Sequence, residues 1–401
     1  MLRGIALAIM LSQTLSAAAA SDWPAFRGPT ATGEADRGVI PANIGEPPTL
    51  AWTADLPGRG PSSPIVIGER VIVTASSGAR EDRLHVLCFS AKTGESLWHR
   101  QFWATGRTFC HPTTANATPT PASDGVRVYA FYSSNDMACL TLDGEFCWFR
   151  GLAYDHPKAG NDVGMSSSPV VVDATVIAQV ENKANSFAIG LDTVTGQTRW
   201  EIERPAESNW ASPILASAKR GGPIAILQSP TGLTAVDPAT GTMRWAVTTD
   251  CSTIPSPTAM GDFLVAAADG VTAYRLPPSA ETPKFAWRSN RLQPATNSPV
   301  IAGGSVFSVN GAGVLTAVSL ANGNGQWRLR LKGPVWATPV VAGNRMLVVS
   351  GRGLMQVVEI AEGQGKLVHT LDLADTIQAT PAVTNAGVFV RSDKKLRAYR
   401  E

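Results

Sequence analysis

The stretch NWASPILASAKRGGPIAILQSPTGLTAVDPATGTMRWAVTT, residues 209–249, decides the fold because it reads as four short strands in succession. The predicted strands are Ser212–Ala216, Ile224–Gln228, Leu233–Asp237 and Thr242–Val247. Each is a short apolar run bounded by proline or glycine, and no helical period of apolar residues is present. A single four-stranded sheet of this size exposes both faces, so it needs copies of itself to pack against.

Such copies follow one another along the chain. A Ser-Pro or Thr-Pro dipeptide opens the first strand of the unit, and its proline recurs at Pro64, Pro121, Pro169, Pro213, Pro257, Pro299, Pro339 and Pro381. Subtraction gives intervals of 57, 48, 44, 44, 42, 40 and 42 residues. A period of about 40–45 residues with four strands per unit is typical of propeller blades. The sequence therefore predicts an all-β protein, an eight-bladed β-propeller of four-stranded antiparallel blades.

A tryptophan marks the last strand of most units. It follows a turn glycine by four residues in five blades, which pair Gly94 with Trp98, Gly144 with Trp148, Gly196 with Trp200, Gly241 with Trp245 and Gly323 with Trp327. Blade five keeps Trp287 without the glycine, and blade seven keeps Gly363 but has Leu367 where tryptophan is expected. A flat indole can fill the wedge between neighbouring blades while its N–H finds a partner.

The third strand of each unit carries a small residue at a recurring place, where we expect adjacent blades to approach closely. Its members are Cys88, Cys139, Gly190, Ala235, Ala273, Ala317 and Ala398, with Val357 in blade seven. The last unit has only three strands before the chain ends at Glu401. The segment Leu50–Leu56, which carries Trp52, precedes the first opener, so we expect it to complete blade eight and close the ring.

Three segments divide the chain. Residues 1–20 combine Arg3, an apolar run and an alanine-rich end, the pattern of a secretory signal peptide. Residues 21–49 form an N-terminal extension, predicted to be a clasp in which Trp23 and Phe26 pack on the ring and cover its seam. Residues 50–401 form the propeller. The early apolar run is too short to cross a bilayer, and no cysteine for lipid attachment precedes Cys88, so we expect a protein of the periplasm or the cell exterior.

Charge and cysteine content narrow the function. The net charge is +2, and the basic residues are scattered without a stripe, so a nucleic-acid partner is not expected. Five cysteines in an exported protein raise the question of disulfides. Cys88 and Cys139 occupy the small-residue position, which favours buried thiols that act as apolar side chains. The odd number leaves at least one thiol free in the monomer that we expect.

Long connections point to a working face. The segments Ser76–Arg83, Trp103–Asn116 and Tyr154–Met165 are the longest departures from the repeat. In an antiparallel meander, the connection into the first strand and the one between strands two and three emerge at the same end. All three segments therefore crowd one rim over blades one to three, where long loops are commonly functional.

The channel mouth supplies candidate binding residues. Three residues before the opener prolines stand Pro61, Thr118, Ser166, Trp210, Ile254, Thr296, Trp336 and Gln378. Trp210 and Trp336 can stack against a planar ligand or sugar or anchor a peptide, or they can pack between blades. Polar residues predicted to accompany them and Gln378 on the rim are Arg80, Asp82, His111, His156, Asn161, Asp162, Glu181 and Asn182.

Other chemistry finds little support in the sequence. The five histidines show no metal-ligand spacing, and the adjacent Cys110 and His111 would point apart in an extended segment. No phosphate-binding glycine loop and no nucleophile elbow are present. We therefore assign no catalytic and no metal-binding residue.

The Ser-Pro openers, the turn Leu191-Asp192 to Trp200 and the segment DWPAFRGP resemble the PQQ-like repeat family, where PQQ is pyrroloquinoline quinone. The resemblance covers residues 22–401 and implies the eight-bladed propeller of quinoprotein alcohol dehydrogenases and of the outer-membrane assembly factor BamB. In the dehydrogenases it further implies PQQ between a tryptophan and a disulfide of adjacent cysteines, a calcium ion held by Glu, Asn and Asp, and an Asp base. No adjacent cysteines occur here, and none of those ligands matches residue by residue.

The sequence thus favours an exported, non-catalytic binding or scaffold propeller of the BamB type, without a cofactor, whose rim takes a protein or carbohydrate ligand. A PQQ-dependent oxidoreductase with calcium is the alternative, and a sugar-binding, lectin-like propeller is a third possibility.

Overall fold

The computed structural model describes residues 22–47, 49–160, 163–218, 222–279, 281–361 and 363–401. Within these ranges, eight antiparallel sheets surround one axis, and the only helix is α1 (Leu152–Asp155). The prediction of an eight-bladed propeller is confirmed. The predicted signal peptide lies outside the described residues.

Two strands precede the blades, β1 (Glu34–Ala35) and β2 (Leu50–Asp55). Blade one comprises β3 (Ile65–Ile67), β4 (Arg70–Ser77), β5 (Arg83–Ser90) and β6 (Ser96–Trp103), and blade two comprises β7 (Ala122–Ser123), β8 (Arg127–Phe131), β9 (Asp136–Thr141) and β10 (Phe146–Gly151). Blade three comprises β11 (Val170–Val172), β12 (Thr175–Val180), β13 (Phe187–Asp192) and β14 (Thr198–Glu203), and blade four comprises β15 (Ile214–Ala218), β16 (Gly222–Ser229), β17 (Gly232–Val236) and β18 (Met243–Thr248). Blade five comprises β19 (Thr258–Met260), β20 (Phe263–Ala266), β21 (Val271–Arg275) and β22 (Lys284–Ser289), and blade six comprises β23 (Val300–Ala302), β24 (Ser305–Val309), β25 (Val314–Ser319) and β26 (Gly325–Arg330). Blade seven comprises β27 (Val340–Ala342), β28 (Arg345–Val349), β29 (Leu354–Ala361) and β30 (Gln364–Asp372). Blade eight comprises β31 (Ala382–Thr384), β32 (Gly387–Arg391) and β33 (Lys395–Tyr399) together with β2.

The ring closes as predicted. Strand β2 pairs antiparallel with β33, so that Leu50 lies opposite Tyr399 and Trp52 opposite Ala398. Blade eight is therefore built from the two ends of the propeller, and only non-covalent contacts hold the seam. A single buried apolar cluster runs through blades seven, eight and one, which ties this seam to its neighbours.

The turn glycine four residues before a tryptophan makes room for the tryptophan of the preceding blade. A Cβ at Gly144, whose φ is +81°, would lie 2.6 Å from the Trp98 ring, and the Trp98 indole donates to the Leu142 carbonyl at 2.9 Å. Within its own sheet the tryptophan faces the small residue, as Trp98 faces Cys88 and Trp200 faces Gly190. The small residue thus accommodates a bulky cross-strand partner, a reason that the sequence pattern alone did not give.

Blade seven corrects the predicted alignment of this motif. Its hairpin is longer, because β29 and β30 extend the pairing to Ala361 and Gln364. Trp327 of blade six covers Gly365 rather than Gly363, and the residue opposite Val357 is His369 rather than Leu367. The expectation of Leu367 at the tryptophan position is wrong because it counted from the wrong glycine.

The Ser-Pro and Thr-Pro dipeptides form a hydrogen-bonded belt around the axis. In every blade the residue before the proline donates its backbone N–H to the side-chain hydroxyl of the equivalent residue in the next blade, at 2.9–3.1 Å. The eight residues are Ser63, Thr120, Ser168, Ser212, Ser256, Ser298, Thr338 and Thr380. The last bond, from Thr380 to Ser63, closes the circle. Proline has no N–H to offer, so the residue before it carries this link.

The N-terminal segment crosses one end of the channel. This is the end where the first strand of each blade stops, opposite the mouth. Trp23 exchanges two backbone hydrogen bonds with Val66 of blade one, and β1 pairs in parallel with β27 of blade seven. Between them Arg27 is fully buried and donates to Thr258 Oγ1 at 2.6 Å and to the Pro257 carbonyl at 2.7 Å. Burial lowers the pKa of Arg27 to about 9. We call residues 22–35 the strap.

The strap confirms half of the clasp prediction. Trp23 is buried in the apolar cluster of the seam, as expected. Phe26 is not part of that cluster and instead faces the axial channel. Its expected place on the seam is wrong because the strap turns inward over the channel after Pro24.

All five cysteines are free thiols, and Cys88 and Cys139 are buried as predicted. No helix in the described residues has the length and apolar character that a membrane crossing requires.

Candidate functional site: the axial cavity

A cavity of about 310 Å³ occupies the axis of the propeller. All eight residues that the sequence placed at the channel mouth line it, and the belt hydroxyls line it further in. The cavity contacts Phe26 of the strap, which covers the far end of the channel. The channel is therefore a pocket with one mouth.

Two long loops form part of the wall of this pocket. His111, Thr113 and Thr114 of the first insertion line it, and so do Val163, Gly164 and Met165 of the second. The His111 N–H donates to the Val163 carbonyl at 3.1 Å, which joins the loops to each other. The third long connection joins them through Glu81, whose carboxylate accepts the Asn116 N–H at 2.8 Å. The predicted crowding of three loops on one rim is confirmed.

The two mouth tryptophans are held differently. The Trp210 indole donates to the Gly164 carbonyl at 2.8 Å, so the second loop fixes this ring against the wall. Trp336 is 41% exposed, and its indole N–H has no partner within the described chain. Both rings line the cavity, and neither belongs to an apolar core cluster of the described residues.

Of the other predicted site residues, Gln378 and His111 line the cavity. Gln378 forms no hydrogen bond with any described residue. Arg80 is on the exposed loop of blade one, where it pairs with Asp82 at 3.3 Å. Asn161 and Asp162 lie outside the described residues.

Glu181, Asn182 and His156 are away from the cavity and are used inside blade three. Glu181 is fully buried and accepts a hydrogen bond from Arg204 Nε at 2.8 Å. Burial raises the pKa of the Glu181 carboxyl above its ordinary value, while the Arg204 guanidinium opposes the shift. The His156 ring stacks on Phe187 with centroids 3.8 Å apart. Asn182 accepts two backbone N–H bonds within its own loop.

The described wall of the cavity is uncharged. It contains aromatic, aliphatic, hydroxyl and amide side chains together with His111, but no Asp, Glu, Lys or Arg. In the described ranges no group of three or more His, Cys, Asp and Glu side chains could hold a metal ion. Cys110 contacts Ser133 Oγ at 3.7 Å in the first loop, and burial raises the pKa of its thiol.

A polar chain in blade one lies outside the cavity. Ser77 Oγ is 2.7 Å from His85 Nε2, and His85 Nδ1 is 2.9 Å from His99 Nε2. Burial, with His99 and Arg83 nearby, lowers the pKa of His85 to about 4. None of these residues lines the cavity. Their hydrogen bonds instead connect β4, β5 and β6 of blade one.

Phe26, Met165 and the belt hydroxyls line the cavity although none of them was predicted as a binding residue. The belt was visible as the serine or threonine before each opener proline. Phe26 carried no such signal, because its place depends on the path of a segment that belongs to no repeat.

Comparison with known proteins agrees with this architecture. The family model described as outer membrane protein assembly factor BamB matches residues 42–185, 158–256 and 265–394. BamB from Moraxella catarrhalis superimposes with a TM-score of 0.63 at 16% identity, over 88% of this chain and 97% of that one. Quinohemoprotein alcohol dehydrogenase from Comamonas testosteroni gives a TM-score of 0.70 at 12% identity, over 94% and 80%. At these identities the structural likeness defines the fold alone.

The class is therefore that of eight-bladed PQQ-like-repeat propellers, which contains both assembly factors and dehydrogenases. Within it, the chain belongs to the BamB family, because the family model matches most of its length. A curated relative, polyvinylalcohol dehydrogenase of Sphingopyxis sp. (strain 113P3), is 24% identical over 243 residues. That match takes in 49% of this chain and only 35% of the relative's length.

Proposed function

We propose that this chain is an exported, non-catalytic binding propeller, which takes a protein or carbohydrate ligand at the mouth of its axial cavity. The observation that carries the proposal is the one-ended pocket, with the exposed ring of Trp336 and the unpaired amide of Gln378 at its mouth. Small-molecule sites are typically concave and mostly apolar, with a few placed polar groups. Membership of the BamB family supports a scaffold role, which forms part of the proposal.

A thermal-shift screen tests this function. Purified protein is heated with defined sugars and with short synthetic peptides, beside the variant Trp336→Ala. We expect one of these classes to raise the melting temperature of the parent, since a ligand that binds only the folded state stabilises it by mass action. The shift should disappear in the variant. An equal shift in both proteins, or no shift with any compound, would contradict the proposal.

The second candidate is a PQQ-dependent oxidoreductase. The sequence similarity to a polyvinylalcohol dehydrogenase favours it. The residues of the cavity do not fit that cofactor well. Calcium prefers several carboxylate and carbonyl ligands, and PQQ is itself a polyanion, yet the described wall offers neither a carboxylate nor a cationic side chain.

Titration with PQQ and calcium separates the two candidates. Quinone absorbance reports binding, and reduction of an electron-accepting dye in the presence of alcohols reports turnover. The binding proposal expects no saturable binding of PQQ and no dye reduction. Saturable binding with turnover would replace it by the oxidoreductase.

Export is tested separately. The predicted signal peptide should be removed on secretion, so N-terminal sequencing of the protein from a periplasmic fraction should begin near residue 21. Recovery of the intact chain from the cytoplasm would contradict export. Size-exclusion chromatography with light scattering should report the expected monomer.

A further inference from the structure

We propose that the ligand of the axial cavity is a neutral carbohydrate of one or two sugar rings, bound with one ring face against Trp336. This inference rests on the proposed binding function and deepens it by naming the class of ligand. It is drawn from four properties of the cavity: its charge, its free polar groups, its belt of hydroxyls and its size.

The first property is the lack of charge. A charged ligand that leaves water for a cavity requires an opposite charge or several hydrogen bonds to replace its hydration. The described wall has no carboxylate and no guanidinium or ammonium group. The nearby buried cation Arg27 of the strap donates its hydrogen bonds to Pro257 and Thr258 of blade five. A neutral ligand therefore loses the least on entering.

The second property is the pair of unused groups on adjacent blades. The Trp336 indole presents an exposed face and a free N–H, and the Gln378 carboxamide can both donate and accept. A sugar ring has one face made of C–H groups and an edge of hydroxyls. The C–H face matches the indole ring, and the edge hydroxyls match an amide that works in both directions.

The third property is the belt. Each belt hydroxyl already accepts a backbone N–H from the preceding blade with one of its two lone pairs, and its own hydrogen is left to donate. Donors placed around the axis suit a ligand rich in oxygen acceptors. An aromatic hydrocarbon, or the apolar side chain of a peptide, would leave these hydroxyl donors without acceptors.

The fourth property is size. At about 310 Å³ the cavity lies at the small end of the range of ligand sites. The strap closes it on the Phe26 side, so a long chain could not thread through the ring. One or two sugar rings, or the end of a longer glycan, suit this depth.

Calorimetric titration tests the inference with matched probes. D-glucose, D-galactose and D-mannose, with maltose and cellobiose, are the neutral sugars. The uronate of each hexose adds a negative charge at nearly constant shape, and the 2-amino sugar adds a positive one. We expect at least one neutral sugar to bind saturably, with its uronate and its 2-amino counterpart at least tenfold weaker.

Three variants locate the site. Trp336→Ala should weaken binding of that sugar at least tenfold, and Gln378→Ala about tenfold, the value of one hydrogen bond of about 1.4 kcal/mol. Trp103→Ala removes an exposed tryptophan from the outer strand of blade one and is the matched control, so its affinity should equal that of the parent. Thermal melting of all variants verifies that each is folded.

The outcomes separate this inference from the function on which it rests. If no sugar binds, but a peptide binds the parent and binds Trp336→Ala more weakly, the proposal of a carbohydrate ligand is wrong and the proposed binding function stands. If a uronate binds as tightly as its neutral sugar, or if Trp336→Ala keeps full affinity for the sugar, the inference is overturned. If nothing binds, both proposals fail.

Discussion

The two ends of the channel are built from similar residues and used in opposite ways. At the closed end Trp23 is 1% exposed, and its backbone pairs with Val66. At the open end Trp336 is 41% exposed and its indole N–H has no partner in the described chain. The Trp23 indole N–H also lacks a partner, but it is buried in the seam. The closed end thus contributes apolar contacts to stability, whereas the open end leaves its unsatisfied groups exposed, where a ligand could reach them.

Charged residues repeat the contrast. Arg27 at the closed end is fully buried, and both of its terminal guanidinium nitrogens donate to blade five. At the open end the polar residues divide, since Glu181 is buried in an ion pair while Arg80 extends into solvent. Position near a rim therefore says little about function until burial and partners are known.

The largest expected effect comes from exchanging one tryptophan at each end. Trp23→Ala should lower the free energy of unfolding by about 3–5 kcal/mol, because it leaves a cavity in the seam. Trp336→Ala should change it by less than about 1 kcal/mol. Urea denaturation followed by circular dichroism compares the two midpoints. Equal shifts would remove the distinction between a structural and a functional end.

The second test divides the charged residues of the open end. Arg204→Met leaves the buried carboxylate of Glu181 without its partner, which should cost about 3 kcal/mol. The double variant Arg204→Met with Glu181→Leu should recover most of that loss. Arg80→Met is the exposed control and should lie within about 0.5 kcal/mol of the parent. A harmless Arg204→Met would show that Glu181 can reach solvent.

The third test uses pH on the buried imidazole near the open end. The pKa of His85 is lowered to about 4 from 6.5, so as pH falls the unfolded chain takes up this proton first. The contribution of His85 to stability is full above pH 6.5 and is lost as pH falls towards 4, by about 2 kcal/mol at pH 5. Urea midpoints at pH 7, 6 and 5 should fall less in His85→Gln than in the parent. His111→Gln, at the exposed mouth, is the matched control, and equal slopes in all three proteins would contradict the assignment.

The smallest effect concerns the belt, which lies between the two ends. Ser256→Ala removes the acceptor of the Ser212 N–H and should cost about 1 kcal/mol. Ser96→Ala on the exposed outer strand of blade one should cost less than about 0.5 kcal/mol. The two urea midpoints are compared directly. If Ser256→Ala is as mild as Ser96→Ala, the belt contributes nothing to holding the blades together.

Much of the fold could be predicted because a repeat states the same information many times. Eight opener prolines and a recurring tryptophan set the number of blades, and Trp52 before the first opener identified the closing strand. The prediction failed where the repeat lapsed. Blade seven has a longer hairpin, so counting from Gly363 misplaced the motif by two residues.

The site was predicted less completely for a physical reason. Eight mouth positions followed from their distance to the opener prolines, since every blade enters the ring in the same way. His156 and Glu181 occur in similar polar loops, yet both side chains turn into blade three, where a ring stack and an ion pair hold them. Local sequence does not specify which way such a side chain turns, because the partner comes from a distant part of the chain.

The sequence by itself determined the architecture of this protein: eight small sheets, the tryptophan wedges between them and a last blade shared by the two ends. Those features repeat, and a periodic pattern of apolar and turn residues has one economical way to bury its faces. Only the tertiary structure decided that the channel is closed by the strap at Phe26, that the openers form a hydroxyl belt and that the described part of the mouth carries no charged side chain. Each of these depends on contacts between residues far apart in the chain, and a pattern along one dimension does not carry that information.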